Sequence, residues 1–204
     1  MSASIAGVAH LRFILVLLSC LLTVSCGLLP SQQQKLDSEL LAAIRAADAA
    51  ALRTVLKQGA NPNAVTDLNG TALGTLLHQH KRSHQDRRAR IEHCTQLLLE
   101  HHADPEMLHH GFTPLQIAAG QGSEVLVAQL IKFGANPSAE TRAGLAPIWQ
   151  AVYTNNYRVS LELLRAGANP NALNTDGLTP LEYLQKRGFT KTRIMVQLRH
   201  YGGH

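Results

Sequence analysis

Apolar side chains along this chain fall into columns that recur at nearly regular intervals. Val55, Leu98, Leu130 and Leu163 make one column; Leu56, Leu99, Ile131 and Leu164 make a second; Cys94, Leu126 and Val159 make a third. The unit is clearest in QIAAGQGSEVLVAQLIKF, Gln116–Phe133, where two short Leu- and Ala-rich helices are predicted on either side of Gly122. Ala118 and Ala119 are small enough to let neighbouring units approach closely. Columns shared by successive units predict stacked copies, each burying its face on the next. The second column ends at Arg199, a polar residue where no further unit follows. RIMVQLRHYGG, Arg193–Gly203, therefore reads as a C-terminal cap.

The polar punctuation between these segments repeats as well. KQGANPNA at Lys57–Ala64 returns as RAGANPNA at Arg165–Ala172, with GANPSA at Gly134–Ala139 between them. A second anchor runs Gly111-Phe112-Thr113-Pro114-Leu115, Gly144-Leu145-Ala146-Pro147-Ile148 and Gly177-Leu178-Thr179-Pro180-Leu181. Thr113 to Ala146, Ala146 to Thr179 and Gly134 to Gly167 each span 33 residues. Thr113 and Thr179 suit the N-cap of a first helix, and the Pro that follows suits its first turn. The Gly of each GANP loop suits a left-handed stop to the second helix.

This pattern resembles the ankyrin repeat over nearly all of Ser38–His204. The resemblance implies an all-α fold, an ankyrin-repeat solenoid of five helix-turn-helix repeats with hairpin loops. The boundaries fall at about 38–65, 66–107, 108–140, 141–173 and 174–204. Asn69-Gly70-Thr71-Ala72-Leu73 opens the second repeat and His102-Ala103-Asp104-Pro105 closes it, with His102 in place of the loop Gly. Gly59 to His102 spans 43 residues and His102 to Gly134 only 32, so the second repeat carries an insert of about ten.

The N-terminus follows a different rule. After Arg12, Phe13 to Leu29 holds no charge, as in a secretory signal. Leu22-Thr23-Val24-Ser25-Cys26 resembles a bacterial lipobox, although Thr23 departs from the usual Leu; Cys20 has too short an apolar run before it. The expected organisation is a signal peptide at 1–25, a lipidated Cys26 with a polar linker to Asp37, and a repeat domain at 38–204. An uncleaved anchor is the alternative, since the run falls just short of the ~20 residues that span a bilayer. Gly27 resembles lipoproteins sorted to the outer membrane. With Cys20 removed and Cys26 lipidated, Cys94 stands alone and no disulfide framework forms. The mature chain would keep 18 basic against 14 acidic residues, a net +4.

Little catalytic chemistry emerges. Composition is that of an ordinary globular chain, 45% hydrophobic and 16% charged. The 11 histidines include His78, His80, His84, His93 and the pairs His101-His102 and His109-His110, but no Cys or carboxylate completes a metal-ligand spacing with them. Cys94 shares a core column, where a thiol is inert. With no nucleophile triad, phosphate loop or paired carboxylates, the expectation is no enzyme, no cofactor and no metal. The insert His78–His93 places Lys81, Arg82, Arg87, Arg88 and Arg90 against Asp86 and Glu92, a net +3. These five cations form a candidate electrostatic patch for an acidic partner or anionic surface, at the end of the repeat opposite the hairpins. The alternative is a solvated extension of two helices.

The resemblance implies protein binding through hairpin tips and inner helices. In this chain the tips are Asp67, Leu68, His109, His110, Phe112, Arg142, Leu145, Thr175, Asp176 and Leu178. The inner-helix row is His78, Gln79, Gln121, Tyr153, Thr154, Lys186 and Arg187. The expected function is a monomeric interaction module, lipid-anchored on the periplasmic side of the envelope. It would hold a periplasmic or membrane-associated protein as scaffold, protector or immunity-type inhibitor. Nucleic acid is not expected as a partner. The alternative is a His/Arg module that binds metal ions or an anionic surface through the insert.

Overall fold

A computed structural model describes residues 30–65, 70–80, 83–141 and 144–204. The signal segment and Cys26 lie outside the described residues. Ten helices are described: α1 Pro30–Ala46, α2 Ala49–Lys57, α3 Ala72–His78, α4 Gln85–Glu100, α5 Pro114–Gln121, α6 Glu124–Lys132, α7 Pro147–Tyr153, α8 Tyr157–Arg165, α9 Pro180–Lys186 and α10 Arg193–His200. Odd-numbered helices pack on odd and even on even, while each odd helix also packs on the even helix that follows it. The result is an all-α ankyrin-repeat solenoid with an inner and an outer helix layer. Among the described residues the hairpins contribute only two isolated bridges, Val65 with Thr71 and His109 with Phe112. No described helix is long and apolar enough to cross a membrane.

The columns of the sequence are the core. Leu98, Leu130 and Leu163 are fully buried and Val55 nearly so; Cys94, Leu126 and Val159 are fully buried. Burial, then the nearby Asp48 carboxylate, pushes the Cys94 thiol up to about 11, so it packs as a small apolar group. Arg199, the last member of the second column, is exposed.

The ends of the helices also follow their residue types. Thr113 and Thr179 cap α5 and α9, each with Pro in the first turn. Gly59, Gly134 and Gly167 take left-handed backbone after α2, α6 and α8, and His102 does the same after α4 with φ 66°. The next N–H then returns to the core column: Ala60 to Val55, Ala103 to Leu98, Ala135 to Leu130 and Ala168 to Leu163.

A side-chain ladder joins these loops from pair to pair. Asp37 Oδ1 accepts the Asn61 N–H at 3.0 Å, and Asn63 Oδ1 accepts the Asp104 N–H at 2.7 Å. Glu106 Oε1 accepts from Asn136 at 2.8 Å, Ser138 Oγ from Asn169 at 3.2 Å, and Asn171 Oδ1 from His204 at 3.0 Å. Asp37 thus does for the first loop what each loop does for the next.

One boundary is corrected here. The stretch expected as a polar linker up to Asp37 is helical from Pro30, so α1 runs 17 residues. Leu36 continues the stripe of Leu40 and Ile44 and is itself buried. Gln33 donates to Asp37 and to the Gly59 carbonyl. The first turns of α1 therefore hold the loop that follows α2.

Candidate functional site

The hairpins and inner helices share one face. At its first end, Ser38, Leu41 and Arg45 of α1 and Val65 of the first hairpin line a groove of about 670 Å³. Val65, Leu108 and Leu173 each stand six residues after a left-handed loop residue, and all three are exposed, with Glu140 at the matching place in the third loop. These apolar side chains were not singled out in the sequence. Their signal was the equal offset from Gly59, His102 and Gly167.

In the hairpin before α5, His109 and Phe112 exchange backbone hydrogen bonds at 2.9 and 3.1 Å. Phe112 is 41% exposed, as a tip should be. His109 is corrected from tip to interior: it is buried at 5% exposure. The cause lies in α3. Gly74, third residue of that helix, has no side chain, and a Cβ there would run into the His109 ring. Thr71 caps α3 by accepting the Gly74 N–H at 3.0 Å, and its own N–H donates to His109 Nδ1 at 2.9 Å. In α5 and α9 the corresponding N–H of Thr113 or Thr179 goes to the helix's own third residue, Gln116 at 2.9 Å or Glu182 at 2.8 Å. His109 is the missing half of a capping box, supplied by the next hairpin. Burial, then the nearby His78 and His110, hold its pKa down at about 4, which keeps the ring a neutral acceptor. Its ring centroid lies 5.0 Å from that of His78 and 4.4 Å from that of His110.

The third position of α7 is Trp149, fully buried, whose Nε1–H donates to the Ala172 carbonyl at 3.0 Å. It underlies an aromatic cluster. Trp149, Tyr153 and Tyr183 stand with ring centroids 5.3, 5.6 and 5.4 Å apart, pair by pair. Tyr153 is 45% exposed and Tyr183 half-buried, and the Arg187 guanidinium lies 6.0 Å from the Tyr183 ring. Trp149 and Tyr183 were missed in the sequence because they occupy different helix positions from Tyr153. A column reading compares like positions only.

The other expected positions divide. His78, His110, Thr154, Thr175, Asp176, Lys186 and Arg187 are exposed; Gln121, Leu145 and Leu178 are half-buried. Gln79 is engaged within the fold, donating to the Ile44 and Thr75 carbonyls. Asp67, Leu68 and Arg142 lie outside the described residues, as do Lys81 and Arg82 of the insert.

The insert lengthens α4 to 16 residues against nine in α2, α6 and α8. It is sewn to the stack. Arg87 donates to the Arg45 carbonyl at 2.7 Å and to Gln79 Oε1 at 2.6 Å. Arg88 Nε donates to the His80 carbonyl at 3.3 Å, and the buried His80 ring meets Glu92 at 2.9 Å. Gln79 is the C-cap of α3, so Arg87 meets the inner row at the end opposite the hairpin. Arg88 and Arg90 are exposed. Among the described residues, no group of three or more His, Cys, Asp or Glu could hold a metal ion.

A family model for ankyrin repeats, in three copies, matches residues 85–174, from α4 to the hairpin that follows α8. No curated protein matches the chain.

Proposed function

We propose that this ankyrin-repeat chain is a non-enzymatic docking module that holds one other protein against its hairpin and inner-helix face. Ankyrin repeats serve generally as protein–protein interaction modules. The observation that carries the reading is the Trp149–Tyr153–Tyr183 cluster. Rigid aromatic surface over a packed base is the usual anchor of an interface, because it excludes water at small entropic cost.

The lipobox-like Leu22–Cys26 supports a tether in the bacterial envelope, with the module on the periplasmic side. There it would shield or position an envelope protein, or block a toxic one. A photo-crosslinking amino acid at Tyr153 tests the docking face in intact cells. A single defined protein adduct is expected there and none from the same group at Val196 on α10. Equal adducts at both positions, or none, would reject the face. Palmitate labelling that survives in Cys26→Ser would reject the tether.

A further inference from the structure

Formal charge is unevenly placed along the chain. Residues 141–204 hold eight Lys and Arg against three Asp and Glu, so their net +5 equals that of the whole molecule. Residues 1–140 hold eleven of each and cancel. The insert's own excess is balanced by Glu100, Asp104 and Glu106 just after it. The aromatic cluster is built in the cationic half.

Within that half, several charges are already engaged. Arg158 pairs with Glu124 at 3.2 Å and Arg165 with Glu162 at 3.1 Å. The Glu182 carboxylate accepts the Thr179 N–H at 2.8 Å. Lys186, the last residue of α9, and Arg187, its C-cap, are exposed, as is Asp176 on the preceding hairpin, and the Arg187 guanidinium lies 6.0 Å from the Tyr183 ring. Ala172, whose carbonyl takes the Trp149 indole N–H, is followed directly by Leu173, 54% exposed. Exposed apolar surface at Tyr153 and Leu173 and exposed cations at Lys186 and Arg187 thus belong to neighbouring elements that the Trp149–Ala172 bond and the Arg187–Tyr183 contact join.

Resting on the docking reading above, we infer that the segment held here is an acidic stretch of protein carrying an aromatic or aliphatic anchor. The anchor covers Tyr153, Tyr183 and Leu173, and flanking carboxylates meet Lys186 and Arg187. A guanidinium lying against a ring keeps its edge N–H groups for a carboxylate, so Arg187 serves both parts. The surplus of positive charge through residues 141–204 draws an acidic segment in and disfavours a basic one. A phosphate chain would satisfy the cations and leave the apolar centre uncovered.

The probe is a displayed library of random dodecapeptides selected on the full chain in detergent. Enriched peptides should carry net negative charge and at least one aromatic or large aliphatic residue. The best of them should bind Tyr153→Ala about tenfold more weakly or worse. Lys186→Glu with Arg187→Glu should turn the selected pool from acidic to basic. All three substituted residues are exposed, and an unchanged circular-dichroism melt checks that each variant is folded. Neutral or basic peptides selected on the native chain would overturn the inference, as would no enrichment or a pool unmoved by the charge reversal. If the protein crosslinked at Tyr153 contacts it through a basic or neutral segment, the acidic assignment falls and the docking face stands. If no protein crosslinks, both fall.

Discussion

The helix pair α3/α4 and the pair α9/α10 close the same backbone hydrogen bond in opposite ways. In α9, the third residue Glu182 reaches back to the Thr179 N–H, so the cap is complete within one helix. In α3, that place is Gly74, and His109 of the next hairpin accepts the Thr71 N–H instead. A cap made locally survives whatever its neighbour does. A cap borrowed from the neighbour ties two units together and makes the joint depend on the ionisation of a ring. Along a solenoid, where contacts reach only adjacent units, such a joint is a place where stability can be tuned separately.

Beneath these unlike caps the core column is alike. Leu98 of α4 and Leu163 of α8, the helix on which α10 packs, are both fully buried in the same column. Truncation to Ala should cost about 2–5 kcal/mol at either site, and the loss should fall mainly on the adjacent helix pairs. Denaturant melts of the two variants would measure it. If Leu98→Ala were nearly neutral, the α4 region would be held by something other than its core.

The next effect belongs to His109. Its pKa is about 4 in the fold against 6.5 unperturbed, so the unfolded chain binds the proton first as pH falls. Its contribution is full above pH 6.5 and shrinks as pH falls to about 4, by at most ~3 kcal/mol. The titratable groups that face it are His78 on α3 and His110 on its own hairpin. His109→Gln keeps an acceptor for the Thr71 N–H and should flatten stability over that window. A pH series of melts that keeps its slope in the variant would place the titration elsewhere.

Gly74 offers a smaller lever on the same joint. A Cβ at this position meets the His109 ring, so Gly74→Ala should displace the ring and cost about 1–3 kcal/mol despite the better helix propensity of Ala. Hydrogen exchange should show faster exchange at the Thr71 amide in Gly74→Ala and no change at Thr179. A stabilised variant would mean that the hairpin yields without loss.

How much of this was legible depends on whether the information is local. The 33-residue spacing, the Thr-Pro starts and the left-handed loop residues are local, and they gave both the solenoid and its core columns. The start of α1 was hidden because Pro30–Asp37 is mostly polar, and only Leu36 reveals that the stripe of Leu40 and Ile44 extends backwards. His109 was misplaced because position in a hairpin says tip, while the reason for burial sits 35 residues earlier at Gly74. Tyr183 escaped for the same reason: the cluster joins different positions of neighbouring helices. Loops that match can be read one by one, but a contact between unlike positions needs the fold.

The smallest effect lies in the local cap, at Glu182. Its carboxyl is held below the ordinary range, first by the Thr179 backbone N–H and then by the Thr179 hydroxyl. The sign is that of a depressed acid: the contribution is present above its unfolded value near 4.5 and fades as pH falls through the lower folded value. The two caps therefore weaken in different windows, the borrowed one between pH 6.5 and about 4 and the local one only below about 4.5. In a descending pH series followed by residue-resolved hydrogen exchange, the Thr71 amide should lose protection before the Thr179 amide does. Glu182→Gln keeps a neutral acceptor on the Thr179 N–H and should remove the second loss while leaving the first in place. If both amides lost protection together, the unit would unfold as one body, and the distinction between local and borrowed caps would have no thermodynamic meaning.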